Sequence, residues 1–123
     1  MRGRRVVVAE DDSALRVAVT AVLAYELGVH AVGAPDGAGA LRLIEEGPPS
    51  LLLTDLQMPG MDGYELIRWL KANPATRALP IVATSAAGSR DRALFAGCDA
   101  FVAKPFDLDD LVGVVRRLLE AAP

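Results

Sequence analysis

Three acids and one lysine carry the chemistry available to this sequence. Asp55 closes the apolar run Leu51-Leu52-Leu53-Thr54. Glu10 and Asp11 close an earlier one, Val6-Val7-Val8-Ala9, and Lys104 closes a third, Phe101-Val102-Ala103. An apolar run that stops at a charged residue reads as a buried strand presenting its last side chain at a sheet rim. Neighbouring strands lie about 4.8 Å apart, so if the first and third are neighbours, Asp11 and Asp55 reach one small cation. Carboxylates clustered without a counter-ion repel, and one or more tends to protonate. A Mg²⁺ ion removes that problem, because it takes oxygen ligands in octahedral geometry and keeps several waters. The backbone carbonyl of Gln57 offers a further ligand from the loop after Asp55. Ser85, just past a fourth apolar run, adds a hydroxyl, and Lys104 adds a point charge for a phosphoryl oxygen. A carboxylate that attacks a phosphoryl donor becomes an acyl phosphate. Metal and ammonium would stabilise the charge on the transferring group.

This chemistry requires strands whose carboxyl ends meet, and the sequence supplies them. Short apolar runs at 6–9, 30–34, 51–54, 81–84 and 101–103 alternate with helical patterns. The first helix carries Leu15, Val19, Val22 and Leu23 at helical spacing, with Ser13 able to cap it and Gly28 placed as a C-terminal glycine. Asp36 caps a second helix with Leu41 and Ile44 inward. Asp62 and Glu65 resemble a capping box for a third, which holds Leu66, Ile67 and Leu70. A short helix at 89–96 ends at Gly97. Asp107 caps the last, whose Leu108, Leu111, Val112, Val115, Leu118 and Leu119 form one apolar face. Five βα units joined by short loops predict a parallel sheet covered on both faces, with right-handed crossovers. The nearly continuous apolar strands fit a sheet buried on both sides. Sites in such sheets form beyond the carboxyl ends of the strands, which is where the four charged residues stand.

With 123 residues the chain has room for one ordinary domain, expected to span 1–123 with no output domain. Apolar content of 52% against 24% charged residues points to a globular chain. No apolar run approaches the roughly 20 residues of a membrane span. The basic start Met1-Arg2-Gly3-Arg4-Arg5 precedes too short an apolar stretch for a signal peptide. A cytoplasmic location is expected, without membrane attachment. The net charge is −3 and the basic residues are scattered, so nucleic-acid binding is not expected. Cys98 is the only cysteine, which excludes an internal disulfide and reads as a small buried apolar residue.

The sequence resembles the receiver domain of two-component response regulators. The family's acidic pair corresponds to Glu10-Asp11, followed at five residues by Arg16. Its phosphoacceptor region corresponds to Asp55-Leu56-Gln57-Met58-Pro59-Gly60-Met61-Asp62-Gly63. Its hydroxyl position corresponds to Ser85-Ala86, its lysine-proline pair to Lys104-Pro105-Phe106, and its aromatic switch to Phe101. The correspondence runs in order over essentially the whole chain. It implies a flavodoxin-like (βα)5 fold, a doubly wound five-stranded parallel sheet in the order 2-1-3-4-5. It implies Mg²⁺-dependent transfer from a phosphohistidine of a histidine kinase or phosphotransfer protein to Asp55. Asp11 and Asp55 would ligate the metal directly, Glu10 mainly through water, and Lys104 would pair with Asp55 or its phosphate. Ser85 would move toward the phosphate and Phe101 change rotamer with it, and the Lys104-Pro105 bond would be cis. The stretch from Ser85 to Lys104 is shorter than the family commonly shows, so a short fourth helix or a tight entry to it is expected.

Plainer readings compete with these. Glu10 and Asp11 could cap the first helix, but Asp12 and Ser13 serve that role better. Thr84 also carries a hydroxyl, and strand alternation points only one of Thr84 and Ser85 at the site. Phe101 could be simple packing. His30 reads as a surface residue, and Trp69 as one at the sheet or the helix margin.

The function expected is a signalling module, not an enzyme. It would be switched by phosphorylation between two conformations and read by a downstream protein partner or a homodimer. One alternative is a receiver belonging to a longer hybrid kinase or regulator. Another, from a different class, is a haloacid-dehalogenase-like aspartyl-phosphate hydrolase. Such enzymes typically place the nucleophile after the first strand with a second Asp two residues on, and here the candidate nucleophile is on the third.

Overall fold

Strand and helix alternate through residues 3–121, which the computed structural model describes. Met1 and Arg2 of the basic start, and Ala122 and Pro123, lie outside the described residues. The strands are β1 (Arg5–Ala9), β2 (His30–Ala34), β3 (Leu51–Asp55), β4 (Ile81–Ala86) and β5 (Ala100–Lys104). The helices are α1 (Ser13–Leu27), α2 (Gly37–Glu46), α3 (Gly63–Ala72), α4 (Arg90–Ala96) and α5 (Leu108–Ala121), with one 3-10 turn at Ala87–Ser89 before α4. All pairings are parallel and the order is β2-β1-β3-β4-β5. The expected doubly wound architecture is therefore present.

Strand alternation sorts the core into two halves. Val6, Val8, Leu51, Leu53 and Val82 face Val19, Leu23 and Leu27 of α1 and Leu111, Val115 and Leu119 of α5. Val7, Leu52, Ile81, Ala83 and Phe101 face Ala40 and Ile44 of α2, Leu66, Ile67 and Leu70 of α3, and Ala93 of α4. Helices thus cover both faces, as central parallel strands require. No strand interior of β1, β3 or β4 is left to solvent, whereas β2 and β5 lie at the edges and are partly exposed. Among the described residues, no helix is long and apolar enough to cross a membrane.

The caps show how the sequence ends its helices. Asp12, not Ser13, caps α1, its side chain accepting the N–H of Leu15 at 3.1 Å. Asp12 holds an extended backbone that aims its carboxylate at the free N–H groups, whereas Ser13 is already the first helical residue. Asp36 and Asp62 cap α2 and α3 in the same way. Asp107 accepts the N–H of Asp109 at 2.8 Å at the start of α5. Gly28 and Gly97 end α1 and α4 in the left-handed region, at φ of 68° and 119°, where a Cβ is disfavoured.

Several details depart from the sequence pattern. β4 runs two residues beyond the expected strand and pairs Ala86 with Lys104. In α2, Ala40 and Ile44 are buried and Leu41 only half-buried. His30 and Trp69 are at the surface, and Cys98 is buried.

Candidate functional site

Register brings the charged residues to one rim. Ala9 pairs with Thr54, so Glu10 emerges beside Asp55. Asp55 pairs with Thr84, and two residues further on Ala86 pairs with Lys104. The result is a cluster at the carboxyl ends of β1, β3 and β5. Glu10, Asp11 and Asp55 each place a carboxylate oxygen within 4.8 Å of the others. The Lys104 ammonium donates to Glu10 Oε1 at 2.8 Å and to Asp55 Oδ2 at 3.1 Å. Glu10 Oε2 accepts the N–H of Asp12, and Asp55 Oδ1 accepts the N–H of Gln57 at 3.3 Å.

The electrostatics of the cluster suit a cation. Glu10 and Asp55 are buried and Asp11 is exposed. Burial pushes the Glu10 carboxyl above its ordinary value, against the hydrogen bonds from Lys104 and Asp12 that lower it. Burial alone would pull Lys104 down. Its hydrogen bonds to Glu10 and Asp55 outweigh that, and the ammonium is held above its ordinary value. Three carboxylates against one ammonium leave two uncompensated negative charges if all are ionised. The donors are all hard oxygen, and a divalent cation such as Mg²⁺ matches both the charge and the ligand type.

The backbone around the acids is held from three directions. Arg16 donates from Nη1 to the carbonyl of Glu10 at 2.8 Å. Its side chain lies against Gly33 of β2, where a Cβ would approach Arg16 Cγ to 2.9 Å. Gly63 starts α3 directly over Asp55, and any Cβ there would collide with the Asp55 carbonyl. Leu56 N–H extends the pairing to the carbonyl of Thr84 at 3.1 Å. The sequence signalled Arg16 only as a spacing mark and Gly63 only as the end of the phosphoacceptor region. Their contacts depend on which elements meet in space.

Ser85 and Phe101 lie on the other face of the sheet. Ser85 pairs with Ala103, and Phe101 pairs with Ala83 in the core beneath α3 and α4. Both are buried, and among the described residues no hydrogen bond joins the Ser85 hydroxyl to the acids. Thr84 alternates to the Asp55 face. With Glu10, Asp55 and Phe106 it lines a cavity of about 10 Å³, roughly one water in size. The Lys104–Pro105 peptide is cis. Gln57 is exposed and lines an open cleft of about 420 Å³ together with Asp11, Met58, Asp62, Tyr64 and Arg92. The Arg92 guanidinium stacks 3.9 Å from the centre of the Tyr64 ring. Periodicity gave no sign of this contact, because it joins two different helices.

The five-stranded parallel sheet carries three acids and a lysine at its carboxyl rim, and comparison identifies the family. Residues 6–116 match the response regulator receiver domain. The chain belongs to that family and is a signalling module of two-component systems. It is 34% identical over 119 residues to the phosphate regulon transcriptional regulatory protein PhoB of Escherichia coli, covering 94% of this chain and 52% of PhoB. It is 33% identical over 113 residues to response regulator Rre1 of Synechocystis, covering 89% of this chain and 49% of Rre1. The chain thus spans about half the length of these curated relatives. Among solved structures, a response regulator from Chloroflexus aurantiacus superposes with a TM-score of 0.88 at 28% identity, covering 97% of this chain and 99% of the other. The receiver domain of sensor histidine kinase PA1611 from Pseudomonas aeruginosa, which has magnesium coordinated in its active-site cleft, gives 0.83 at 29%, covering 97% and 99%.

Proposed function

We propose that this chain is a phosphoacceptor switch in which Asp55 takes a phosphoryl group from a phosphohistidine of a kinase or phosphotransfer protein. The observation that carries this reading is the Lys104 ammonium bridging Glu10 and Asp55 within a group of three carboxylates. An Asp55 oxygen attacks phosphorus and forms the acyl phosphate while the P–N bond to the donor histidine breaks and the imidazole departs with the bonding pair. Lys104, already against Asp55 Oδ2, follows the incoming phosphoryl oxygen and keeps its charge matched. Asp11 and Asp55 would hold Mg²⁺ directly, Glu10 through water, and Gln57 through its backbone carbonyl. Bound there, the ion supplies the positive charge that the transferring group requires. The magnesium in the PA1611 receiver supports this assignment.

Thr84 stands on the Asp55 face and Ser85 on the other, so Ser85 would report the phosphate by moving toward it, and Phe101 on the same face as Ser85 would carry the change toward α4. The reader of that change is a protein partner or a second copy of the chain. In a second form of this reading the receiver is one module of a longer regulator or hybrid kinase, a length relation like the one it has to PhoB and Rre1. The neighbouring coding sequence decides between the two.

Acetyl phosphate with Mg²⁺ should give one phosphoryl adduct by intact mass spectrometry. EDTA should remove the adduct, and so should Asp55→Ala. An adduct that persists in Asp55→Ala, or turnover of phosphoester substrates in bulk, would refute the assignment.

A further inference from the structure

We propose that Arg92 is a specificity-determining residue that reads the leaving group of the phosphoryl donor and favours acyl phosphates. The inference rests on Asp55 being the phosphoacceptor. Arg92 lines the open cleft at the acid rim, which it shares with Asp11 and Gln57. Among the described residues it is the one cation lining that cleft, and no carboxylate forms an ion pair with it. Of the two acids in the cleft, Asp11 belongs to the rim cluster, and Asp62 Oδ1 is engaged by the N–H of Glu65. The guanidinium is held in place by stacking 3.9 Å from the centre of the Tyr64 ring, and that ring is itself buried. A stacked Arg keeps its planar fork of donors free for a carboxylate. The cleft therefore joins an unpaired, ring-stacked cation to Asp11, one of the acids clustered with Asp55.

Phosphoryl transfer needs attacker and leaving group roughly in line on opposite sides of phosphorus. Asp55 is buried at the rim and the exposed Asp11 clustered with it opens onto the cleft, so a leaving group in line with Asp55 would project outward past Asp11 toward Arg92. With acetyl phosphate, an Asp55 oxygen forms the new O–P bond while the P–O bond to the acetyl group breaks. Acetate departs with the bonding pair, and no proton moves. With phosphoramidate, whose nitrogen is protonated, the P–N bond breaks and neutral ammonia departs, later taking a proton from water. The leaving-group charge falls by one unit in both cases, but at the transition state it is partly negative with acetyl phosphate and still partly positive with phosphoramidate, so relative to free donor a cation in the cleft favours only the first.

The test follows adduct formation on the full chain in Mg²⁺ with each donor, for wild type, Arg92→Gln and Arg92→Lys. Arg92→Gln should slow acetyl phosphate by about threefold to fivefold, the size of one exposed charge contact, while phosphoramidate changes little. Arg92→Lys should recover part of the loss by restoring charge without the fork. The difference should shrink in high salt. Equal slowing with both donors, or no slowing with either, overturns the inference. Absence of any adduct on wild type with both donors overturns the phosphoacceptor reading, and this one with it.

Discussion

On the α1/α5 side of the sheet the rim residues are tied down several times over, while on the α4 side little holds them. Glu10 accepts from Lys104 and from the Asp12 N–H, and its carbonyl is gripped by Arg16. Asp55 is bonded through both oxygens and roofed by Gly63. Behind these residues stands α5, 14 residues long with four of them buried. Across the sheet, α4 has 7 residues, buries only Ala93, and starts without a side-chain cap. Its Phe95 is 94% exposed. The contrast separates two jobs. Phosphoryl chemistry needs groups preset to the geometry of the transition state. A switch needs an element whose two positions differ little in free energy. The short connection from Ser85 to Lys104 gives the second job a small, lightly anchored helix.

The comparison breaks most easily through stability. Leu119→Ala in α5 should cost about 2–5 kcal/mol, whereas Phe95→Ala in α4 should stay within about 0.5 kcal/mol. Urea unfolding of both variants measures the difference, and similar losses would erase the asymmetry.

Lys104→Met should come next, at about 1–3 kcal/mol in metal-free protein, since it strips two charged acceptors of their donor. Its pH dependence has a definite sign. Lys104 holds its proton more tightly folded than unfolded. Its contribution is therefore complete below the ordinary lysine value of about 10.4 and is lost as pH rises through the folded value. The gap in stability between wild type and Lys104→Met should narrow on that alkaline limb. A constant gap would mean that the ammonium is not the stabilising species.

Helix caps give a smaller version of the same contrast. Asp12→Ala removes a formed cap and should cost about 1 kcal/mol. Ser89→Ala removes none and should cost close to nothing, because no cap bond exists there. Thermal melts of the two variants check the pair.

Most of the tightly held half was legible in the sequence, and most of the other half was not. Glu10, Asp55 and Lys104 each follow an apolar run, and parallel strands oblige the ends of such runs to converge. The short α4 was also legible, from the chain length between Ser85 and Lys104. The face each rim hydroxyl takes was not, because it depends on where β4 begins its alternation. The structure puts Thr84 on the Asp55 face and Ser85 with Phe101 on the other. Arg92 on Tyr64 and Arg16 over Gly33 were hidden for a related reason. Each joins elements whose contact is set by packing, and no periodicity within either element encodes it.

The central claim is that Asp55, alone among the three clustered acids, accepts the phosphoryl group. Borohydride reduces an aspartyl phosphate to homoserine, and tandem mass spectrometry then locates the change. After treatment with Mg²⁺ and acetyl phosphate, homoserine should appear at position 55 and only when both are present. A reduced residue at position 10 or 11, or none anywhere, would contradict the account.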